Sequence, residues 1–211
     1  MMIEAQGIDH FYGREKILNG LDLSIRPGSF TAIIGESGSG KTTLLSILST
    51  LLKPSGGIVR YDGKRFDELG NIDRFRRQNI GFVFQFHYLI SYLTLRENVA
   101  LGALDASSVD PLLDALGIAK LSNRYSDEVS GGERQRAAIA RALVNSPSVV
   151  FADEPTGNLD TKNAIGVYEL FSQFSQRGTG LVVASHDHKI KEYADCIVEM
   201  EDGRVKTVCV R

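Results

Sequence analysis

The run Gly35-Glu36-Ser37-Gly38-Ser39-Gly40-Lys41-Thr42 fits G-x-x-x-x-G-K-[ST], and its flanks leave few folds open to the chain. Ahead of it, Phe30 to Ile34 is short, apolar and rich in β-branched residues, which predicts a buried parallel strand. Behind it, Leu44, Leu45, Ile47, Leu48, Leu51 and Leu52 recur at helical spacing, which predicts a helix running to the stop at Pro54-Ser55-Gly56-Gly57. Strand, glycine turn and helix in that order make a cradle for phosphate. Backbone N–H groups of the turn point inward, and the helix N-terminus adds a partial positive charge. Gly35, Glu36, Ser37, Gly38, Ser39, Gly40 and Thr43 are candidates for that cradle. Lys41 would reach the β- and γ-phosphates, and the Thr42 hydroxyl would ligate Mg²⁺. The alternative, a plain glycine turn entering a helix, is weakened by the flanking context.

A parallel core needs alternating strands and helices, and the rest of the chain supplies them. Met2 to Ala5 and Leu21 to Ile25 show period-two patterning, with a turn at Arg26-Pro27-Gly28. Phe11-Tyr12-Gly13 lies between them; Tyr12 is either a platform for a nucleotide base or a hairpin aromatic packed on the sheet. Ile58 to Tyr61 reads as a strand, residues 71–79 as a solvated arginine-bearing helix, and Ile80 to Phe84 as a second buried strand ending at Gln85. The β signal then disappears. Thr94-Leu95-Arg96-Glu97 fits a capping box, Asp110-Pro111 opens a helix with Pro111 at its first position and Gly117 closing it, and Ser130 to Asn145 holds a longer helix. The α/β pattern resumes with Ser148 to Ala152, a helix over 161–176, Gly180 to Ala184, and a hairpin of Cys196 to Glu201 and Arg204 to Val210. The expected fold is α/β: a single domain over 1–211, with a core of 1–85 and 147–211 and an inserted helical subdomain over 86–146.

Composition closes off other classes. Lys plus Arg is 24 against 26 for Asp plus Glu, so there is no basic excess and no nucleic-acid partner is expected. No apolar run approaches the length of a bilayer span, and the N-terminus lacks the pattern of a signal peptide. Cys196 and Cys209 lack metal-ligand spacing and read as buried thiols in a reducing compartment. The expected location is the cytoplasm, or the cytoplasmic face of a membrane where another subunit holds the chain.

Three of the buried strands end in polar residues: Gln85, Asp153-Glu154 and Ser185-His186. Ligands of open parallel sheets sit beyond the carboxyl ends of the strands, so these tips and the glycine loop should face one crevice. Asp153 follows four apolar residues and suits support of Mg²⁺; Glu154 can orient or deprotonate an attacking water; His186 can donate to a γ-phosphate. Ser130-Gly131-Gly132-Glu133, opening a helix, is a second cradle of phosphate type, or on its own a flexible turn with an N-cap serine. One chain does not need two γ-phosphate cradles, so the second should serve a nucleotide on another subunit.

These pieces, in this order, resemble the ATP-binding-cassette (ABC) ATPases along essentially the whole chain. Gly35 to Thr42 is similar to the family's Walker A, Ser130 to Glu133 to its signature and Val149 to Glu154 to its Walker B. Gln85 falls at the Q-loop, Asn158-Leu159-Asp160 at the D-loop, His186 at the switch histidine and Tyr12 at the base-stacking aromatic. Val129 and Glu133 stand where leucine and glutamine are usual. The resemblance implies a P-loop NTPase fold with an N-terminal antiparallel β subdomain, ATP and Mg²⁺ as ligands, and a head-to-tail homodimer with ATP at the interface. It implies Lys41, Gln85, Glu154 and His186 as catalytic, Thr42, Gln85 and Asp153 as metal-binding, and Tyr12, residues 35–43, Ser130 to Glu133 and Asp160 as nucleotide-binding. Asp153 to Asp160 is similar to the LolD, MacB and FtsE group, and Gln85 to Leu89, Leu95 to Ala100 and Gly131 to Asn145 are most similar to its LolD branch, although the Gln85–Ser130 segment is shorter than usual there. That implies polytopic membrane protein subunits as partners at the cytoplasmic face of the inner membrane, with lipoprotein release as the work done. The aromatic-rich stretch Phe82 to Tyr92 is the expected socket for a partner helix. MacB-like export, FtsE-like regulation of cell-wall enzymes and a soluble non-transport ATPase are the alternatives.

Overall fold

The computed structural model describes residues 1–210 and opens with two long antiparallel strands, β1 (Ile3–Tyr12) and β2 (Glu15–Ile25). The two short stretches read from the sequence are one continuous hairpin, which puts Phe11 and Tyr12 at the end of β1. β3 (Phe30–Ile34) leads through the glycine loop into α1 (Lys41–Leu48). β4 (Gly56–Tyr61) and β5 (Lys64–Arg65) complete a four-stranded sheet in the order β2-β1-β4-β5. There follow α2 (Ile72–Asn79), β6 (Ile80–Val83), α3 (Leu95–Ala100), α4 (Val109–Ala115), α5 (Gly131–Leu143), β7 (Val149–Asp153), α6 (Thr161–Gln176), β8 (Gly180–Ser185), β9 (Cys196–Glu201) and β10 (Arg204–Val210). The second sheet has the order β10-β9-β3-β8-β7-β6; it is parallel from β9 to β6, and β10 adds antiparallel at the edge.

The central strands β3, β7 and β8 are almost wholly apolar because both of their faces are covered. β6, read from the sequence as a buried strand to Phe84, instead lies at the sheet edge, is half-buried and ends at Val83 with Phe84 exposed. Ile33, Val149, Phe151 and Val182 pack in one cluster with α1 and the four-stranded sheet. Their neighbours Ala32, Val150 and Val183 pack in the other, with Val167 and Phe171 of α6. Successive residues of a strand alternate between faces, so one unbroken apolar run feeds two cores. Leu95, Val99, Leu113 and Ile139 join the second cluster, so the helices between β6 and β7 share a core with the sheet.

Three other local expectations are corrected. α1 ends at Leu48, not at the Pro54 stop. Thr50 takes a left-handed φ of 66°, and the N–H groups of Leu51 and Leu52 turn back to the Ser46 carbonyl. The buried Tyr61 hydroxyl donates to the carbonyls of Ile47 (3.3 Å) and Leu48 (2.9 Å), satisfying acceptors that another helical turn would have used. α4 begins at Val109, so Pro111 stands third and not first. The misplacement costs no hydrogen bond, because the first turn leaves that N–H unpaired anyway. Cys196 is buried but Cys209 is exposed, because β10 is an edge strand with its residues open to solvent. The Thr94–Glu97 and Ser130–Glu133 capping boxes both form. Among the described residues no helix is long and apolar enough to cross a membrane.

Candidate active site

Strand order brings the polar tips together. Along the carboxyl edge of the sheet stand the glycine loop after β3, Ser185-His186 after β8, Asp153-Glu154 at the end of β7 and Gln85 after β6. Ser37, Gly38, Gly40, Lys41, Thr42, Thr43, Gln85, Glu154 and His186 line a cleft of about 680 Å³. Asp153 and Ser185 lie outside its lining, and Gly35, Glu36 and Ser39 line the neighbouring hollow against β9. Tyr12 reaches the cleft from the end of β1 and is more than half exposed. A cleft of this size takes a nucleotide-sized ligand.

The loop itself is tightly packed. A Cβ on Gly35 would collide with the Met200 carbonyl of β9 and with Ser39 Oγ. Gly40 sits at φ 96° against Leu18, a conformation and a space that only glycine fits. Lys41 is buried, and its Nζ donates to the carbonyls of Gly35 and Glu36, both at 2.8 Å. The lysine thus folds the loop around its own charge.

Thr42 Oγ1 donates to Asp153 Oδ1 at 3.1 Å. Burial pushes the Asp153 carboxyl above its ordinary range, and the Thr42 hydrogen bond opposes that only in part. Among the described residues, no group of three His, Cys, Asp or Glu side chains could hold a metal ion unaided. One hydroxyl and one carboxylate suit a hard cation that keeps most of its shell as water and phosphate oxygens, which is how Mg²⁺ binds.

Glu154 is strained. Its φ of 45° lies in the left-handed region, where a non-glycine residue costs about 1–3 kcal/mol. The strained turn is held by Glu154 N–H donating to the Ala184 carbonyl at 2.9 Å. Glu154 Oε2 lies 2.9 Å from His186 Nδ1 and 3.4 Å from both the His186 N–H and Ser185 Oγ. A carboxylate only accepts, so Nδ1 carries a proton and Nε2 is left free.

Ser130, Gly131, Gly132, Glu133 and Asp160 lie outside this cleft. The Ser130 N–H and hydroxyl both donate to the Glu133 carboxylate at 2.8 Å, and these bonds hold that carboxyl below its usual range. A Cβ on Gly132 would come within 2.6 Å of Asn163 Oδ1. Asp160 caps α6 and accepts from the Asn163 N–H at 2.9 Å, which lowers its carboxyl too. The Ser-Gly-Gly turn and the start of α6 are therefore one packed unit.

Around Gln85, the aromatics Phe84, Phe86, Tyr88 and Tyr92 are exposed, and Tyr88 meets Phe84 and Phe86 edge to face with centroids 5.3 and 6.4 Å apart. Arg141 of α5 donates to the carbonyls of His87 and Tyr88, both at 2.7 Å. Sequence reasoning did not single out Ile17, which lines the cleft, nor the contacts of Thr156, Tyr168 and Asp187 behind Glu154. Tyr168 lies on the buried stripe of α6 and reads as ordinary core; Asp187 is legible only as a cap for the turn after His186.

Residues 18–157 match the family described as ABC transporter. The chain is 42% identical to the lipoprotein-releasing system ATP-binding protein LolD of Aquifex aeolicus, with 97% of this chain and 96% of that protein covered. It is 41% identical to the protein of the same name from Bacteroides thetaiotaomicron, with 97% and 99% covered. Among solved structures, the dimeric post-hydrolysis state of the ATP-binding cassette MJ0796 bound to ADP and Pi superposes with a TM-score of 0.89 at 32% identity, covering 99% of this chain and 98% of that one.

Proposed function

The chain belongs to the ABC transporter family as an ATPase whose hydrolysis is coupled to transport, and from that premise we propose that it powers lipoprotein release by a LolD-like membrane complex. In this reading ATP occupies the cleft with its base on Tyr12 and its phosphates in the loop of residues 35–43. Lys41 exchanges the Gly35 and Glu36 carbonyls for phosphate oxygens, a charge-assisted and therefore stronger contact. Thr42 and Asp153, with Gln85 facing them, would hold Mg²⁺, which when bound offsets charge on the β- and γ-phosphates.

Glu154 orients the attacking water and accepts its proton as the oxygen meets the γ-phosphorus and the bond to the bridging oxygen breaks, leaving ADP and phosphate. His186 is held through Nδ1–H by Glu154, and its Nε2 donates to a γ-phosphate oxygen when that nitrogen also carries a proton. The contact between Glu154 and His186, over the same cleft as Lys41 and Thr42, is the observation that carries this reading. Glu154→Gln is expected to bind ATP, to lose turnover by at least about 100-fold, and to accumulate as an ATP-bound dimer on gel filtration. Near-normal turnover in that variant would remove Glu154 from the mechanism.

The second cradle supports a homodimer. Ser130 to Glu133 and Asp160 stand outside their own cleft, so in this reading they close the cleft of a facing copy. ATP then acts as the joint between subunits and its hydrolysis releases them. The exposed aromatics after Gln85 form an apolar socket for a helix of a polytopic membrane partner, which would hold the chain at the cytoplasmic face of the inner membrane. Full-length similarity to LolD proteins at about 40% identity supports lipoproteins as the cargo.

A further inference from the structure

Behind the Glu154–His186 contact runs a buried chain of hydroxyls. Tyr168, fully buried on α6, donates from its hydroxyl to Asp187 Oδ2 at 3.3 Å. Its oxygen lies 2.8 Å from Thr156 Oγ1. Because a carboxylate only accepts, the Tyr168 proton goes to Asp187, and Thr156 is left as the donor to Tyr168. Asp187 is in turn bound into the turn after β8: its N–H donates to Ser185 Oγ at 3.0 Å, and its Oδ1 caps the Lys189 N–H at 3.0 Å. Ser185 Oγ then donates to Glu154 Oε2.

Three elements meet at this one tyrosine: the turn after β7, α6, and the turn after β8. Thr156 lies two residues past Glu154 and Asp187 one past His186, so Tyr168 Oη ties together the backbones that carry the two groups. Among the described residues, Tyr168 is the one α6 residue that hydrogen-bonds Thr156 or Asp187. We infer that Tyr168 is a positioning residue for ATP hydrolysis, setting His186 against Glu154 through Asp187 and Thr156. The inference rests on the proposed roles of Glu154 and His186. Aligned hydroxyls ending on a carboxylate polarise one another, and burial keeps water from substituting for any of them.

Tyr168→Phe deletes the hydroxyl and keeps the ring that packs on Tyr193. It is expected to lower kcat about fivefold, the equivalent of one hydrogen bond, with KM for ATP within about twofold of the parent. Placed on His186→Ala, which must itself lower kcat, it should cost less than about twofold, because its effect passes through the histidine. Thr156→Val should behave like Tyr168→Phe and Thr156→Ser like the parent. An equal loss from Tyr168→Phe in both backgrounds overturns the positioning role and leaves His186 in place. Full turnover in His186→Ala overturns both. Where Tyr168→Phe does not fold, Asp187→Asn in the same cycle decides, since it keeps an oxygen for the Lys189 cap and loses the acceptor for Tyr168.

Discussion

Burial raises the Asp153 carboxyl above its ordinary range, with the Thr42 hydroxyl and the more distant Lys41 charge opposing the shift and the Glu154 charge adding to it. Such a carboxyl binds more protons folded than unfolded. It therefore costs stability as pH rises from the ordinary carboxylate value through the raised one, and the whole cost is present at neutral pH. Asp153→Asn should then stabilise the nucleotide-free chain at pH 7. Solvent screening keeps the gain to about 0.5–1 kcal/mol, or about 1–4 °C in Tm. The gain should shrink as pH falls, because a raised carboxyl takes up its proton before an ordinary one does, and turnover should be lost at every pH. Thermal melts at pH 7 and pH 4 check this; a lower Tm for the Asn variant at pH 7 would mean that the carboxylate supports the fold. Glu154 follows the same logic in its backbone: a strained left-handed turn persists because the Ala184 carbonyl and the His186 side chain hold it.

α5 joins two regions of the site. Its N-terminus carries the Ser-Gly-Gly turn, and Arg141 near its other end holds the carbonyls of His87 and Tyr88. The helix is 13 residues long, about 20 Å, so it links the Ser-Gly-Gly turn rigidly to the aromatic loop. Asn98 ties the same loop from α3: fully buried, its Nδ2 shares two N–H groups among the carbonyls of Ile90, Leu93 and Thr94, and its Oδ1 accepts the Ile90 N–H at 2.7 Å. Arg141→Ala is expected to destabilise the chain by about 1.5–3 kcal/mol and to cut detergent pull-down of a polytopic membrane partner at least about fivefold. Undiminished pull-down would detach Arg141 from the socket. The capping boxes that start α3 and α5 are legible because each lies within four residues; the Arg141 contacts are not, because they span more than 50 residues.

At the scale of the molecule, one chain holds a cleft beside its glycine loop and, elsewhere, the Ser-Gly-Gly turn proposed as a second cradle, which does not line that cleft. Lys41→Ala removes the first and Ser130→Ala the second, so each should be inactive as a homodimer, with turnover at least about 10-fold down. Mixing the two variants should restore activity, since one site of the mixed dimer draws Lys41 and Ser130 from different intact halves. ATPase assays across mixing ratios check this, and a flat response would count against a site shared between subunits.

The glycine loop, the apolar strands with polar tips and the Ser-Gly-Gly helix start were legible in the sequence because each is a local code, a few residues whose geometry follows from their own backbones and spacing. They determined the fold class, the kind of ligand and the family. Tertiary structure alone decided where α1 stops, because the hydroxyl that ends it belongs to Tyr61 on β4. It decided that Cys209 faces solvent, because the sequence of a strand does not say that the strand lies at an edge. It also decided that Glu154 meets His186 and that Tyr168 joins their two turns, because strand order sets residues far apart in the chain side by side. Local propensity acts over a few residues, whereas these contacts depend on how the sheet is threaded.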